Sequence, residues 1–175
     1  KLEDAVKTQA KLLEKYMPSA LAGRVEWIGL RPARKQKMTV VDSAMAISGA
    51  GLEGDHKSAR NNGSSRQLPL INKEDIGAMR GLLALGVIDP GLLRRNIVVS
   101  GMNLHALRYQ RLRIGEAVIE IRAHCHPCVR MEKTFGSGGV IAMYGHAGYC
   151  AVIEQGGRIS VGDKVERIGQ DTLFT

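Results

Sequence analysis

Between Leu2 and Tyr16 apolar residues recur at helical spacing: Leu2, Ala5, Val6, Leu12, Leu13 and Tyr16, with Gln9 among them, fall near one face. This predicts an amphipathic helix over 2–16, ended by Pro18. From Gly23 the period changes, and apolar runs become short and divided by glycine, which is a β pattern. "RVEWIGL" (24–30), "MTVVD" (38–42) and "SRQLPLI" (65–71) read as strands, with Pro69 placing the last at an edge or a bulge. Asn72 to Gly86 reads as a second helix, with Asn72 as N-cap, Glu74 and Asp75 in the positive first turn, Ile76, Met79 and Leu83 on one face, and Gly86 as stop. "RRNIVVSG" (94–101) then contains a short buried-type strand. "LRIGEAVIEI" (112–121) and "ISVGDKVERI" (159–168) share the order strand, Gly-acid, strand. In the first, Ala117, Ile119, Ile121 and Ala123 alternate with Glu120 and Arg122, so one face is buried. Many short strands joined by glycine turns, with an inserted helix, predict a mainly β fold, either a barrel or a sandwich.

The chain of 175 residues is long enough for one domain with an ordinary core. The pattern divides it into an amphipathic helix and linker (1–22), a β domain (23–168) and a tail (169–175). With 44% hydrophobic and 24% charged residues, no long apolar run and no signal-peptide pattern, nothing addresses the chain to a membrane or to export. Three cysteines are too few for a disulfide scaffold, so free thiols in a reducing cytoplasm are expected. The net charge of +8 favours an anionic partner. Basic residues are scattered and aromatics are only 4%, which argues against sequence-specific nucleic-acid binding.

The densest chemistry lies in "AHCHPCVRME" (123–132). Three readings compete. A structural zinc site would need Cys125 and Cys128 joined through folding by Cys150, His146 or His56. A redox dithiol would use the "CHPC" spacing, but a strand precedes it and Pro127 does not by itself start a helix. The third reading is one working thiol. A strand continuing through Ile119 and Ile121 delivers His124 and Cys125 to the rim of the β domain, Pro127 ends its pairing, and Cys128 falls on a rim loop. Cys125 and Cys150 then read as small buried apolar residues.

Several ordered motifs bear on this choice: "GLEGDH" (51–56), "RQLPLI" (66–71), "RRNIVVSGMNL" (94–104), "LRIGEAVIEI" (112–121), "HPCVRME" (126–132) and "VIEQGGRISVGDKV" (152–165). Through them the chain resembles the MOSC domain family, the C-terminal fold of molybdenum cofactor sulfurases, over roughly residues 23–168. The resemblance implies a MOSC-like β-barrel with a few peripheral helices, whose single family cysteine matches Cys128. It implies that Cys128 either ligates the metal of a molybdenum cofactor or carries sulfur as a persulfide, and that standalone members act in reduction of N-hydroxylated compounds. His126 and Arg130 could favour the thiolate, and Arg66, Arg94, Arg95 and Arg130 could bind the phosphate of an anionic pterin. Gly51 and Gly54 permit unusual backbone angles, Asp55 and His56 offer groups for proton transfer, and Asn96 either lines the pocket as a cofactor-binding residue or bonds the backbone at a strand entry. Many family members have Gly-Glu-Asn where this chain has Arg94, Arg95 and Asn96, so the pocket is expected to be more positive. "KSARNNGSS" (57–65) reads as a polar, mobile loop. No pyridoxal-phosphate desulfurase unit is expected on this chain, so sulfur, cofactor or electrons would come from a donor protein.

Overall fold

The structure, a computed structural model, describes residues 2–60 and 63–169. The expected tail beyond Gly169 and the tip of the polar loop at 61–62 lie outside the described residues. In chain order the strands are β1 (Gly23–Leu30), β2 (Thr39–Val41), β3 (Ser43–Ile47), β4 (Gly51–Leu52), β5 (Leu68–Asn72), β6 (Ile97–Ser100), β7 (Arg111–Ile114), β8 (Ala117–His124), β9 (Tyr149–Gln155), β10 (Gly157–Ser160) and β11 (Lys164–Ile168). The α-helices are α1 (Leu2–Tyr16), α2 (Lys73–Leu82), α3 (Val129–Phe135) and α4 (Gly139–Met143).

Seven strands form a closed ring in the order β1, β11, β7, β8, β9, β5, β6, with β2 appended to β1. Closure comes where Gly23 and Arg24 pair with Val165 and Lys164, which leaves no open edge in the ring. Every pair in the ring is antiparallel except β5–β6, and α2 supplies the crossover that a parallel pair requires. Strands β10, β3 and β4 make a separate small sheet.

The alternation in β8 places Ile119 and Ile121 inside the barrel with Leu112, Ile114, Ile153 and Val165. A register shift between Ile121 and Ala123 breaks that phase. Ala123 and Cys125 consequently turn to the outer face, where they join Ile71, Val98 and Cys150 under Met79 of α2, Met131 of α3 and Met143 of α4. The barrel thus has two apolar layers, an interior and a helix-covered flank, and the bulge is what assigns Cys125 to the second.

Several expectations are corrected by tertiary context. Strand β5 is central rather than an edge, being buried along its whole length between β9 and β6. Pro69 is tolerated there because parallel pairing with β6 starts one residue later, at Leu70, and its carbonyl still accepts from the Asn96 N–H. Helix α2 ends at Leu82, short of Gly86, and Asn72 occupies the N-cap position without capping, because its side-chain amide donates to the Met102 carbonyl at 2.7 Å. The two strand, Gly-acid, strand segments also part company. β7 and β8 form a hairpin, whereas β10 pairs with β3 and β11 pairs with β7 and β1.

Helix α1 forms over the expected residues, yet Val6, Leu12, Leu13 and Tyr16 remain exposed and it is Met17, just after it, that packs on the barrel core. Among the described residues no helix is long and apolar enough to cross a membrane.

Gly148 shows how tightly β9 is led into the barrel. Its φ is +83°, and an added Cβ would sit 2.1 Å from the Leu70 carbonyl oxygen. Gly148→Ala is expected to destabilise the fold by about 2 kcal/mol or more, combining left-handed strain with a backbone clash. Urea denaturation of the two proteins measures it.

Candidate functional site

Arg31, which follows β1, is an arginine only 4% exposed. Its charge is answered by Asp55, in the turn after β4, and by Asn96, which precedes β6. The Arg31 backbone N–H donates to Asp55 Oδ2 at 2.9 Å and its Nε donates to the same oxygen at 2.8 Å. Arg31 Nη2 donates to Asn96 Oδ1 at 2.7 Å, and Asn96 Nδ2 donates to Asp55 Oδ2 and to the Gly29 carbonyl, both at 2.7 Å. The Lys57 N–H donates to the remaining Asp55 oxygen at 3.0 Å. Burial alone would raise the Asp55 pKa, but the hydrogen bonds and charge of Arg31, with Asn96, hold it below the ordinary carboxylate value.

This network corrects one expectation. Asp55 does not line the adjacent cleft, and every part of its carboxylate is engaged, so it has no free proton to give. It is a positioning residue for Arg31. Asn96 likewise stands behind the wall rather than in the pocket. Gly54, exposed at φ +81°, shapes the turn that leads into Asp55 and does not line the cleft either.

The cleft itself measures about 420 Å³, within the usual range for a small-molecule site. The four predicted phosphate-binding arginines, Arg66, Arg94, Arg95 and Arg130, all line it. Arg31, Arg34, Lys35 and Lys57 bring the cations to eight, and among the described lining residues there is no Asp or Glu. Sequence reading passed over these four, although Arg31, Arg34 and Lys35 share the run "RPARKQK" (31–37), because basic residues in a loop read as solvated surface. Burial pushes the Arg94 guanidinium below its ordinary pKa, and the charges of Arg130 and Arg31 add to this. Burial lowers Lys57 too, with Arg31, Arg94 and Arg95 contributing. In both groups burial is the leading cause, and neighbouring cations add to it against the counter-charge of Asp55.

Two of the arginines are also tied to backbone. Arg94, in left-handed conformation at φ +61°, donates to the Gln36 carbonyl. Arg95 donates to the Ala147 carbonyl at 2.7 Å and to Leu93 at 3.0 Å. His56 lines the cleft with Nδ1 3.2 Å from the Arg31 carbonyl oxygen. A carbonyl can only accept, so in that contact Nδ1 is the donor.

Cys128 is exposed on the same cleft as His126 and Arg130. The expected rim loop is in fact a helix start. Cys128 is the N-cap of α3, in extended conformation, and its carbonyl accepts from the Met131 N–H at 2.7 Å. Proline before a cap costs no helical hydrogen bond, which is why Pro127 and the helix coexist. Cys125 and Cys150 are buried as expected, but they also reach the cleft, with their sulfurs 2.9 Å apart. Cys125 therefore partners Cys150, not Cys128. Among the described residues no group of three or more His, Cys, Asp or Glu could hold a metal ion, so the zinc reading has no ligand set. His146 instead contacts Asp75 at 2.7 Å.

A wider groove of about 800 Å³ lies between α1 and the barrel, lined by residues including Tyr16, Met102, His105 and Tyr149. It contains no cysteine, and His105 is bonded to the Tyr149 hydroxyl at 2.7 Å.

The described residues form a closed β-barrel that carries one exposed cysteine on a cleft lined by cations. The profile of the MOSC domain matches residues 57–166, and the chain belongs to the MOSC domain family. The match begins just after Asp55 and His56. Among solved structures, the YuaD protein from Bacillus subtilis is similar at a TM-score of 0.72 and 19% identity, covering 83% of this chain and 94% of that one. YiiM from Geobacillus stearothermophilus has a TM-score of 0.67 and 13% identity, covering 86% and 77%. YiiM from Escherichia coli has a TM-score of 0.63 and 20% identity, covering 84% and 70%. At these identities the likeness establishes the fold. No curated protein matches the sequence significantly.

Asp55→Ala strands a buried guanidinium and is expected to cost about 3 kcal/mol or more. The wild-type contribution of Asp55 is complete above its ordinary pKa of 3.8 and is lost as pH falls below that value through the depressed folded one. Denaturant titrations should therefore show wild type separated from Asp55→Asn by a constant gap above about pH 5 and converging toward it as the pH falls below about 4.

Proposed function

We propose that this protein binds a molybdenum cofactor of the molybdopterin type in its cationic cleft, with Cys128 as the metal-ligating thiol, and acts in the reduction of N-hydroxylated compounds. The observation that carries this reading is one exposed thiol on a cleft lined by eight cations and no described carboxylate. The donor set fits the group: forked guanidinium donors suit a phosphate, and a thiolate suits a soft metal centre. Arg66, Arg94, Arg95, Arg130 and Lys57 would hold the phosphate and pterin, and Cys128 would hold the metal. When bound, such a cofactor supplies two electrons to an N–O bond. His56 would deliver the proton from Nε2 to the departing oxygen, while its Nδ1 stays on the Arg31 carbonyl. Asp55 and Asn96 act one layer back, keeping Arg31 in place for both tasks.

A second reading makes Cys128 a persulfide carrier in metal-sulfur or cofactor assembly. It is favoured by the exposure of the thiol and by the absence of any side-chain cap bond that would occupy it. A sulfur-donor protein would then load it.

Protein expressed in cofactor-competent cells with molybdate is expected to contain molybdenum, and Cys128→Ser is expected to lose it. Metal content unchanged in Cys128→Ser would overturn the ligand assignment. His56→Gln should retain the metal while lowering kcat on an N-hydroxylated base by about 100-fold or more. A protein free of molybdenum that gains the mass of one sulfur at Cys128, removable by cyanide, would instead favour the carrier reading.

A further inference from the structure

We propose that Cys125 and Cys150 form a reversible redox pair, a modification site on the cleft wall that closes to an intramolecular disulfide when a hydroperoxide enters. The pair is distinct from Cys128 and does not depend on what Cys128 holds. Its two sulfurs lie 2.9 Å apart, against about 2.05 Å for a formed disulfide, so a small side-chain adjustment separates the two states. Both chain segments are anchored. Ala123 pairs with Cys150 and the Cys125 N–H donates to the Gly148 carbonyl at 2.9 Å. The register shift before Ala123 puts both thiols on the same face of the β8–β9 ladder.

Access and activation are present as well. Both cysteines line the cationic cleft, which is roomy enough for a small peroxide. The hydrogen bond between the thiols makes Cys150 the more acidic partner, aided by the charges of Arg95, Arg66 and Arg31, and makes Cys125 the less acidic one. A structural pair of apolar cysteines would need neither the cations nor the cleft.

The Cys150 thiolate attacks one oxygen of the hydroperoxide, the O–O bond breaks, and the leaving oxygen takes a proton to become water or an alcohol. Cys125 sulfur then attacks the sulfenic sulfur of Cys150, the S–S bond forms, the S–O bond breaks, and water leaves. Two thiols are oxidised by two electrons in all, and one peroxide is reduced. A dithiol reductant reverses the bond by exchange.

The test uses Cys128→Ser, in which only the pair remains. The protein is treated with a small excess of hydrogen peroxide, unfolded, alkylated and digested with trypsin. Residues 123–130 carry Cys125 and residues 134–158 carry Cys150, so the bond joins two different peptides. The expected product is one chain holding that crosslink, two hydrogens lighter than the summed peptides and reversed by dithiothreitol. Both thiols should disappear together, at least tenfold faster than the single thiol of Cys128→Ser/Cys150→Ala. Two alkylated thiols after treatment, a sulfinic acid on Cys150 beside a free Cys125, or a crosslink between two chains would each overturn the proposal.

Discussion

A guanidinium removed from water must have its charge answered inside the protein, and at Arg31 that requirement organises the whole functional end of the barrel. Asp55 supplies the counter-charge and Asn96 bridges the two, so the end of β1, the turn after β4 and the start of β6 are tied at one point. Breaking one partner of such a set leaves an uncompensated buried charge, which is why the three residues act as a unit. His56 and Lys57 follow Asp55 directly, and their places on the cleft are a consequence of that tie.

Around this point the protein concentrates positive charge rather than dispersing it. One carboxylate, buried behind the wall, answers Arg31, while the remaining cations face the open volume. Neighbouring cations add to burial in lowering the Arg94 and Lys57 pKa values, and an anion in the cleft would offset that repulsion. The barrel tolerates this because its stability comes from elsewhere, from the apolar interior and from the helix-covered flank. The cationic groups sit on the loops at the strand ends and on α3, Cys125 and Cys128 lie where β8 gives way to α3, and Cys150 lies on β9.

Much of the fold was legible in the chain. Helix α1 forms over 2–16 because its apolar spacing and the following Pro18 are local signals, and the alternation of Ile119 and Ile121 correctly marks a strand with one face in the core. Local signals failed where a distant partner intervened. Asn72 has the side chain of an N-cap, but that side chain is turned to donate its Nδ2–H to the Met102 carbonyl and caps nothing. Pro69 is a breaker by type, yet its missing donor falls where no ladder bond is called for. The helix after Pro127 was obscured because seven residues are too few to show a clear period.

For the site, residue types and their order supplied the chemistry on offer: a thiol at Cys128, arginines at 66, 94, 95 and 130, and the Asp55–His56 turn, all within motifs whose order marks the family. Folding settled which of these meet. It withdrew Asp55 and Asn96 into the support of Arg31, added Lys57 and Arg34 to the cleft, and joined Cys125 to Cys150 across the β8–β9 ladder. The physical reason is that residue type and spacing report local conformation, whereas charge compensation and a one-residue change of strand phase depend on groups that are remote in the chain until the barrel closes.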